Sequence, residues 1–323
     1  MRPIIPFLIL LTASAASTPS PALLVLNKSE GMLAIVDPSS NKVIARVATG
    51  EAPHEVTVSS DGKLAFASNY GTTNPGNTIS VIDLATQKEL RRVNLGPLGR
   101  PHGLFFSSGK LFFTSEICKL VGRYDPATDL IDWLLGTGQN STHMVLVSKD
   151  GNTILTANIG SDNISVIDRA SGQAGWNETA VPVGKGPEAI DLSPDGKQVW
   201  TAHSRDGGVS IIDIASKKVV QTLNLNTKRS NRLKFTPDGK MVLISDLTAG
   251  ELVVLDAVGR KEVKRIPLGR GPEGILIVPD GSRAYVSVSG DNNVAIVDLK
   301  TLQVTGRINA GIGSDGLAWA VRK

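Results

Sequence analysis

The chain has four histidines, and three of them stand at the same place in an internal repeat. His54 follows Pro53, His102 follows Pro101 and His143 follows Thr142, each opening a short apolar run. Aligning the remaining repeats puts Glu188, Asn231, Glu273 and Asp315 at the same position. A second set, read at the end of the next apolar run, is Asn27, Asn69, Glu116, Asn158, His203, Asp246 and Val288. Imidazoles and carboxylates in such company support three chemistries. His54, His102 and His143 could ligate a divalent metal or a haem iron through ring nitrogens, with Glu188 or Asp315 completing the shell. His102, His143 and Glu188 could move protons, because imidazole titrates near neutrality and carboxylates nearby shift it. Alternatively, the position simply takes polar side chains that cap strand ends and hold a ligand by hydrogen bonds.

Linear motifs narrow these options. No HExxH and no paired CxxC accompanies the histidines, so a metal would rest on convergence in space alone. The nucleophile-elbow pattern is absent, which disfavours a serine hydrolase. Glycines sit in tight turns and not at strand-to-helix junctions, so no phosphate loop is present. Arg100, Arg229 and Arg232 flank the repeat entries and could add an anion-binding edge. Asp191 and Lys234 occupy equivalent positions in adjacent repeats and read as a structural ion pair. Cys118, the one cysteine, cannot form an internal disulfide and reads as a small buried residue.

The elements that must position these residues are legible in Gly186 to Asp213, which runs through a Gly-Pro entry, an apolar run, the turn Ser193-Pro194-Asp195-Gly196, and two further runs. Full units begin at Pro53, Pro101, Thr142, Pro187, Ser230 and Pro272. An aspartate closes each third run, at 37, 83, 125, 168, 213, 256 and 298, spaced by 42 to 46 residues. Asp-Gly after the opening run, as at Asp61-Gly62 and Asp238-Gly239, is a tight-hairpin signal. The closing aspartates fit Asx turns. The first unit has three runs and no opening one, whereas Ser314 to Ala320 is an opening run with nothing after it. Four short strands at this period predict an all-β, seven-bladed β-propeller with four antiparallel strands per blade. The C-terminal strand would close the ring by joining the N-terminal three-stranded blade. Tyr70 to Asn77 and Ala170 to Thr179 read as longer loops that could border a binding face.

The Pro entry, the Ser-Pro-Asp-Gly turn, the second-run endings AFASN at Asn69 and ILTAN at Asn158, and the Val-Ile-Asp close together resemble the YVTN-type β-propeller repeat family. The resemblance spans residues 22 to 320. It implies a seven-bladed ring, commonly of exported or cell-surface bacterial proteins, related in architecture to lactonases, to the propeller of nitrous oxide reductase and to haem-binding propellers of nitrite reduction. Propellers host many functions, so the resemblance implies a fold and leaves the activity open.

Composition agrees with many turns and small strands: 33 Gly, 17 Pro and 4% aromatic residues. The 34 Lys and Arg barely outnumber the 30 Asp and Glu and are scattered, so no nucleic-acid partner is expected. Met1-Arg2, the apolar run Ile4 to Leu11 and the small residues Ala13 to Ala16 read as a cleaved signal peptide over residues 1–17, with a single domain over 18–323. No stretch is long enough to span a bilayer. The expectation is therefore a periplasmic or secreted monomer whose partner is a small molecule or a cell-envelope protein. Asn27, Asn140, Asn163 and Asn177 begin glycosylation sequons. The functional expectation is a ligand- or protein-binding module working through a polar channel mouth ringed by His, Glu and Asp, with a lactonase-like hydrolase or lyase, or a metal- or haem-binding propeller, as the alternatives.

Overall fold

A computed structural model describes residues 17–170 and 175–323. The expected signal peptide falls almost wholly outside them. Among the described residues twenty-eight strands form seven four-stranded antiparallel sheets, and each sheet is one blade of a propeller. The first blade joins Ser314–Ala320 to Ala22–Asn27, Met32–Asp37 and Lys42–Ala48, with Leu24 facing Ala318 and Leu23 facing Trp319. A ring closed this way leaves no open seam between the two chain ends. Among the described residues no helix is long and apolar enough to cross a membrane.

Packing follows from the two-residue period of the strands. Middle strands are buried on both faces, as in Ile154 to Asn158 and Val209 to Ile212, so their apolar residues serve two neighbours. Seven apolar clusters result, one between each pair of adjacent blades. The cluster of Leu23, Val25, Tyr285, Ile296 and Ile308 joins the first blade to the seventh. Each blade is therefore stable only against its neighbours. The closing aspartates behave as the sequence predicts at six positions: Asp83, for example, accepts the backbone N–H of Ala85 and Thr86 at 2.7 and 2.8 Å. Asp168 instead takes the Thr153 hydroxyl and Lys217.

Three local readings change. Tyr70 to Asn77 is not a loop: Leu64–Gly71 and Pro75–Asp83 extend as a hairpin beyond their blade, with Gly71 opposite Pro75. Trp176 belongs to the outer strand Trp176–Pro182, where it packs on Trp133. Residues 171–174 of the expected Ala170 to Thr179 loop lie outside the described residues. Asn27 is fully buried and Asn163 nearly so, which leaves Asn140 and Asn177 as the exposed sequons.

Candidate functional site

Every inner strand enters its sheet with a register shift against the second strand, and the residue singled out by the repeat alignment sits in that shift. His143 lies between Thr142, opposite Asn158, and Met144, opposite Ala157. Glu188 and Asn231 are placed identically in their blades. His54, His102, Glu273 and Asp315 fall in shifts two residues wide. A bulge leaves its extra residue unpaired and re-aims the side chain. Seven bulges at seven entries thus turn seven polar side chains toward one mouth at this end of the ring.

Neighbouring blades lock this arrangement. The hydroxyls of Ser68, Thr114, Ser245 and Ser287 donate to the carbonyls of His102, His143, Glu273 and Asp315 in the next blade, at 2.6 to 2.9 Å. Close approach requires glycine after three of the entries. A β-carbon on Gly103 would lie 2.6 Å from the His143 carbonyl oxygen, and one on Gly274 would lie 2.2 Å from that of Asp315. At the same repeat position the second and sixth blades carry Glu55 and Arg232, which meet as an ion pair across the ring.

The mouth is a cavity of about 750 Å³ lined by all seven entry residues. It divides into two arcs. In the first, His102 stacks on His143 with ring centroids 3.6 Å apart, and His54 meets His102 edge-on at 5.3 Å. Glu116 bridges His143 Nδ1 at 2.5 Å and the Tyr70 hydroxyl at 2.6 Å. His54 Nδ1 lies 2.8 Å from the Ala52 carbonyl, which can only accept, so Nδ1 carries the proton and Nε2 keeps its lone pair. His102 Nδ1 and His143 Nε2 are buried without a partner. In the second arc, Lys28 binds Glu273 at 2.6 Å and Asp315 at 3.4 Å, Arg232 binds Glu55, and Asn231 donates to Glu188 at 2.6 Å.

Electrostatics follow from burial. Desolvation, followed by the cations Lys28 and Arg232, pulls the His54 imidazole down to about 4 against the pull of its bond to Ala52. Burial and then the adjacent His143 and His54 hold His102 well below the ordinary histidine range. Burial also pushes Glu273 up to about 7, with Asp315 adding to it and Lys28 opposing. Desolvation would raise Glu116, but the bonds from His143 and Tyr70 outweigh it and keep its carboxyl below the usual range. Burial and Glu116 push the Tyr70 phenol up to about 12. His54 and His102 are thus neutral imidazoles near one ionised carboxylate, Glu116.

The structure brings together His54, His102, His143, Glu188, Asn231, Glu273, Asp315 and Glu116, and it separates His203 and Asp246 from them. His203 bonds Asp206 at 2.8 Å beneath Gly184, and Asp246 clamps the backbone of Lys228 and Arg229. Pairing explains the division. Pro53, Thr142, Pro187 and Ser230 face Asn69, Asn158, His203 and Asp246, while Pro101 faces Ser115 and not Glu116. Glu116 is one residue further on, in step with Lys28, Tyr70, Ile159, Ser204 and Leu247, all of which line the mouth. A one-residue step in a strand reverses the side chain. The short Ser108-Gly109 turn of the third blade conceals that step in the sequence. Arg232, read as part of an anion-binding edge, is buried and held by Glu55, whereas Arg229 lies at the mouth and Arg100 stacks over Tyr70 at 4.7 Å. Asp191 and Lys234 form the expected ion pair at 3.4 Å, and Cys118 is only partly buried.

Donor chemistry alone would allow a metal, since His54 and His143 bond protein oxygens through Nδ1 and leave Nε2 as the available nitrogen, but the placement of the side chains does not support one. Among the described residues no three His, Cys, Asp or Glu side chains are grouped to hold an ion.

Known proteins resemble the chain at two levels. The family profile of the YNCE-like beta-propeller matches residues 3–182, over half of the chain, and that of the cytochrome D1 heme domain matches residues 139–280. No curated protein matches it. Hydrazine synthase of Kuenenia stuttgartiensis superposes with a TM-score of 0.76 at 21% identity, over 90% of this chain and 99% of that one. Putative 6-phosphogluconolactonases of Bacteroides uniformis and Bacteroides fragilis give TM-scores of 0.79 and 0.77 at 16% and 17% identity. The first covers 93% of this chain and 99% of its own, the second 95% and 100%. At these identities the likeness is one of fold. A haem does not fit the mouth: it needs a flat apolar slot, and only Ile159 and Leu247 among the lining residues are aliphatic.

Proposed function

The chain belongs to the YNCE-like β-propeller family, and from that premise we propose that it is an exported binding module that holds a small polar molecule at the channel mouth. One observation carries the reading: the entry residues of all seven blades close around a single cavity of ligand size, and His102 and His143 keep buried ring nitrogens without partners there. Differences between blades, where the repeat would otherwise be uniform, give the cavity its recognition chemistry. Export is supported by the leader-like residues 1–17. The test is a thermal-shift screen of polar metabolite-sized compounds on wild type and His102→Ala. A compound that stabilises the wild type and not the variant supports the reading. Equal stabilisation of both contradicts it.

A second reading has its own observation. Glu116, bonded to His143 Nδ1 at 2.5 Å, leaves Nε2 as the basic nitrogen, the geometry of an oriented general base. With water as nucleophile, such a pair would serve a lactonase-like hydrolase. Lactone hydrolysis lost in both His143→Gln and Glu116→Gln would favour it, and rates equal to wild type would end it.

A further inference from the structure

Resting on the binding reading above, we infer that the ligand is a neutral, hydroxyl-rich molecule of monosaccharide size, held by O–H donation to the imidazole arc. Hydrogen-bond stoichiometry is the argument. His54 Nδ1 must donate to the Ala52 carbonyl, so its Nε2 is an acceptor. His143 Nδ1 faces a carboxylate that accepts both it and Tyr70, which makes Nε2 the acceptor in the neutral ring. His143 is 7% exposed and its Nε2 has no partner, nor has the Nδ1 of His102, which is 3% exposed. An unpaired polar atom in such a setting costs free energy until a partner of the right kind arrives. His54 and His143 therefore call for donors, and His102, whose tautomer no contact fixes, calls for one donor and one acceptor, both of which a hydroxyl supplies.

Charge then separates the classes of donor. Lys28 is bound by Glu273 and Asp315, and Arg232 by Glu55 with Asp315 at 3.9 Å. Arg205 and Arg229, the other cations of the lining, are exposed at the rim where water screens them, and neither Lys28 nor Arg232 is left for an anionic ligand. Those same cations lie close enough to lower the affinity of His54 and His102 for protons, and they would repel an ammonium group in the same way. Hydroxyl groups meet neither obstacle. They donate inward to imidazole nitrogens and can accept from Arg205 and Arg229 at the rim. A cavity of about 750 Å³ admits one six-membered ring with its water shell.

Isothermal titration of the intact mature chain with myo-inositol and glucose, against gluconate as the anionic probe and putrescine as the cationic one, tests this. Expected are binding of a neutral probe and no heat from the charged ones. Affinity should fall about tenfold in His54→Ala, as when one buried hydrogen bond is lost, and at pH 4 in wild type, where protonation removes the lone pairs. His143→Gln, which retains an acceptor oxygen, should keep more affinity than His143→Ala and so separates acceptor loss from misfolding. Gluconate or putrescine binding with neutral probes silent would overturn this inference and leave the binding reading intact. Silence from all four probes would overturn the inference, and silence across the wider thermal-shift screen would overturn the reading as well.

Discussion

Arg232 of the sixth blade reaches across the ring to Glu55 of the second, joining two residues 177 positions apart. They occupy the same place in their repeats, where the other blades carry Gly103, Met144, Ala189, Gly274 and Gly316. Small residues at most of these positions leave the axis open for one salt bridge. Arg232 is only 5% exposed, and burial, which alone would lower its pKa, is outweighed by Glu55, Asp315, Glu188 and Glu273, so it stays charged.

Removing one member of this pair strands the other in a buried site. Glu55→Gln or Arg232→Met should each cost about 3–5 kcal/mol of unfolding free energy. The double variant should recover much of that loss. Urea unfolding of all four proteins gives the cycle, and strict additivity would show that the pair is not coupled.

Ring closure predicts a large effect from a short deletion. Truncation after Gly313 removes the innermost strand of the first blade and, with it, Leu317 and Trp319 from the cluster shared with Tyr285 and Ile296. The exposed edge of Ala22–Asn27 should lower cooperativity and promote association. Size-exclusion chromatography and the urea m-value report both. An unchanged monomeric, cooperative transition would mean that closure contributes little.

Gly103→Ala should act on the site through the backbone. The added methyl meets the His143 carbonyl oxygen, Met144 Cα and Val145 nitrogen at 2.6 to 2.8 Å, and none of these is a flexible side chain. A loss of about 1–3 kcal/mol is expected. The Glu116–His143 bond should weaken with it, visible as a shift of the His143 ring nitrogens, whereas an unchanged His143 spectrum would separate the blade contact from the site.

The buried imidazoles make stability depend on pH. A histidine whose folded pKa lies below its unfolded value binds more protons when unfolded, so stability is complete above about 6.5 and falls as the pH drops toward the folded value. For His54, at about 4, the loss is roughly 3 kcal/mol, and His102 and His203 act in the same direction. Glu273 works oppositely: raised to about 7, it contributes stability below about 4.5 that is lost as the pH rises through 7. Wild type should therefore lose stability between pH 6.5 and 4, and Glu273→Gln should lose more over the same window. A variant with a shallower profile than wild type would contradict this assignment.

Much of this architecture is legible in the sequence. Turns such as Asp61-Gly62 and the closing aspartates set the repeat, and the unmatched runs at the two ends foretold the shared blade. The entry ring was also visible, because a bulge repeated seven times leaves one polar residue at a fixed offset from each entry. The neighbouring ring was half-hidden. With a two-residue shorter hairpin in the third blade, Glu116 aligned with His203 and Asp246, although the pairing of Pro101 with Ser115 sets it beside Tyr70 and Lys28. The Glu55–Arg232 pair also has a sequence signal: two opposite charges at a repeat position otherwise held by small or apolar residues. What sequence could not convey is the division of the mouth into two arcs. That division depends on which charges reach one another across the ring, and repeat spacing carries no information on it.

The four histidines provide the most direct test. His54, His102 and His143 line the mouth, while His203, clamped by Asp206 and facing away from it, is an internal control. In ¹⁵N-histidine NMR of the intact chain, a ligand from the thermal-shift screen should move the ring nitrogens of the first three and leave His203 in place. Stabilisation by a ligand with those three unmoved, or with His203 alone displaced, would contradict a binding site at the channel mouth.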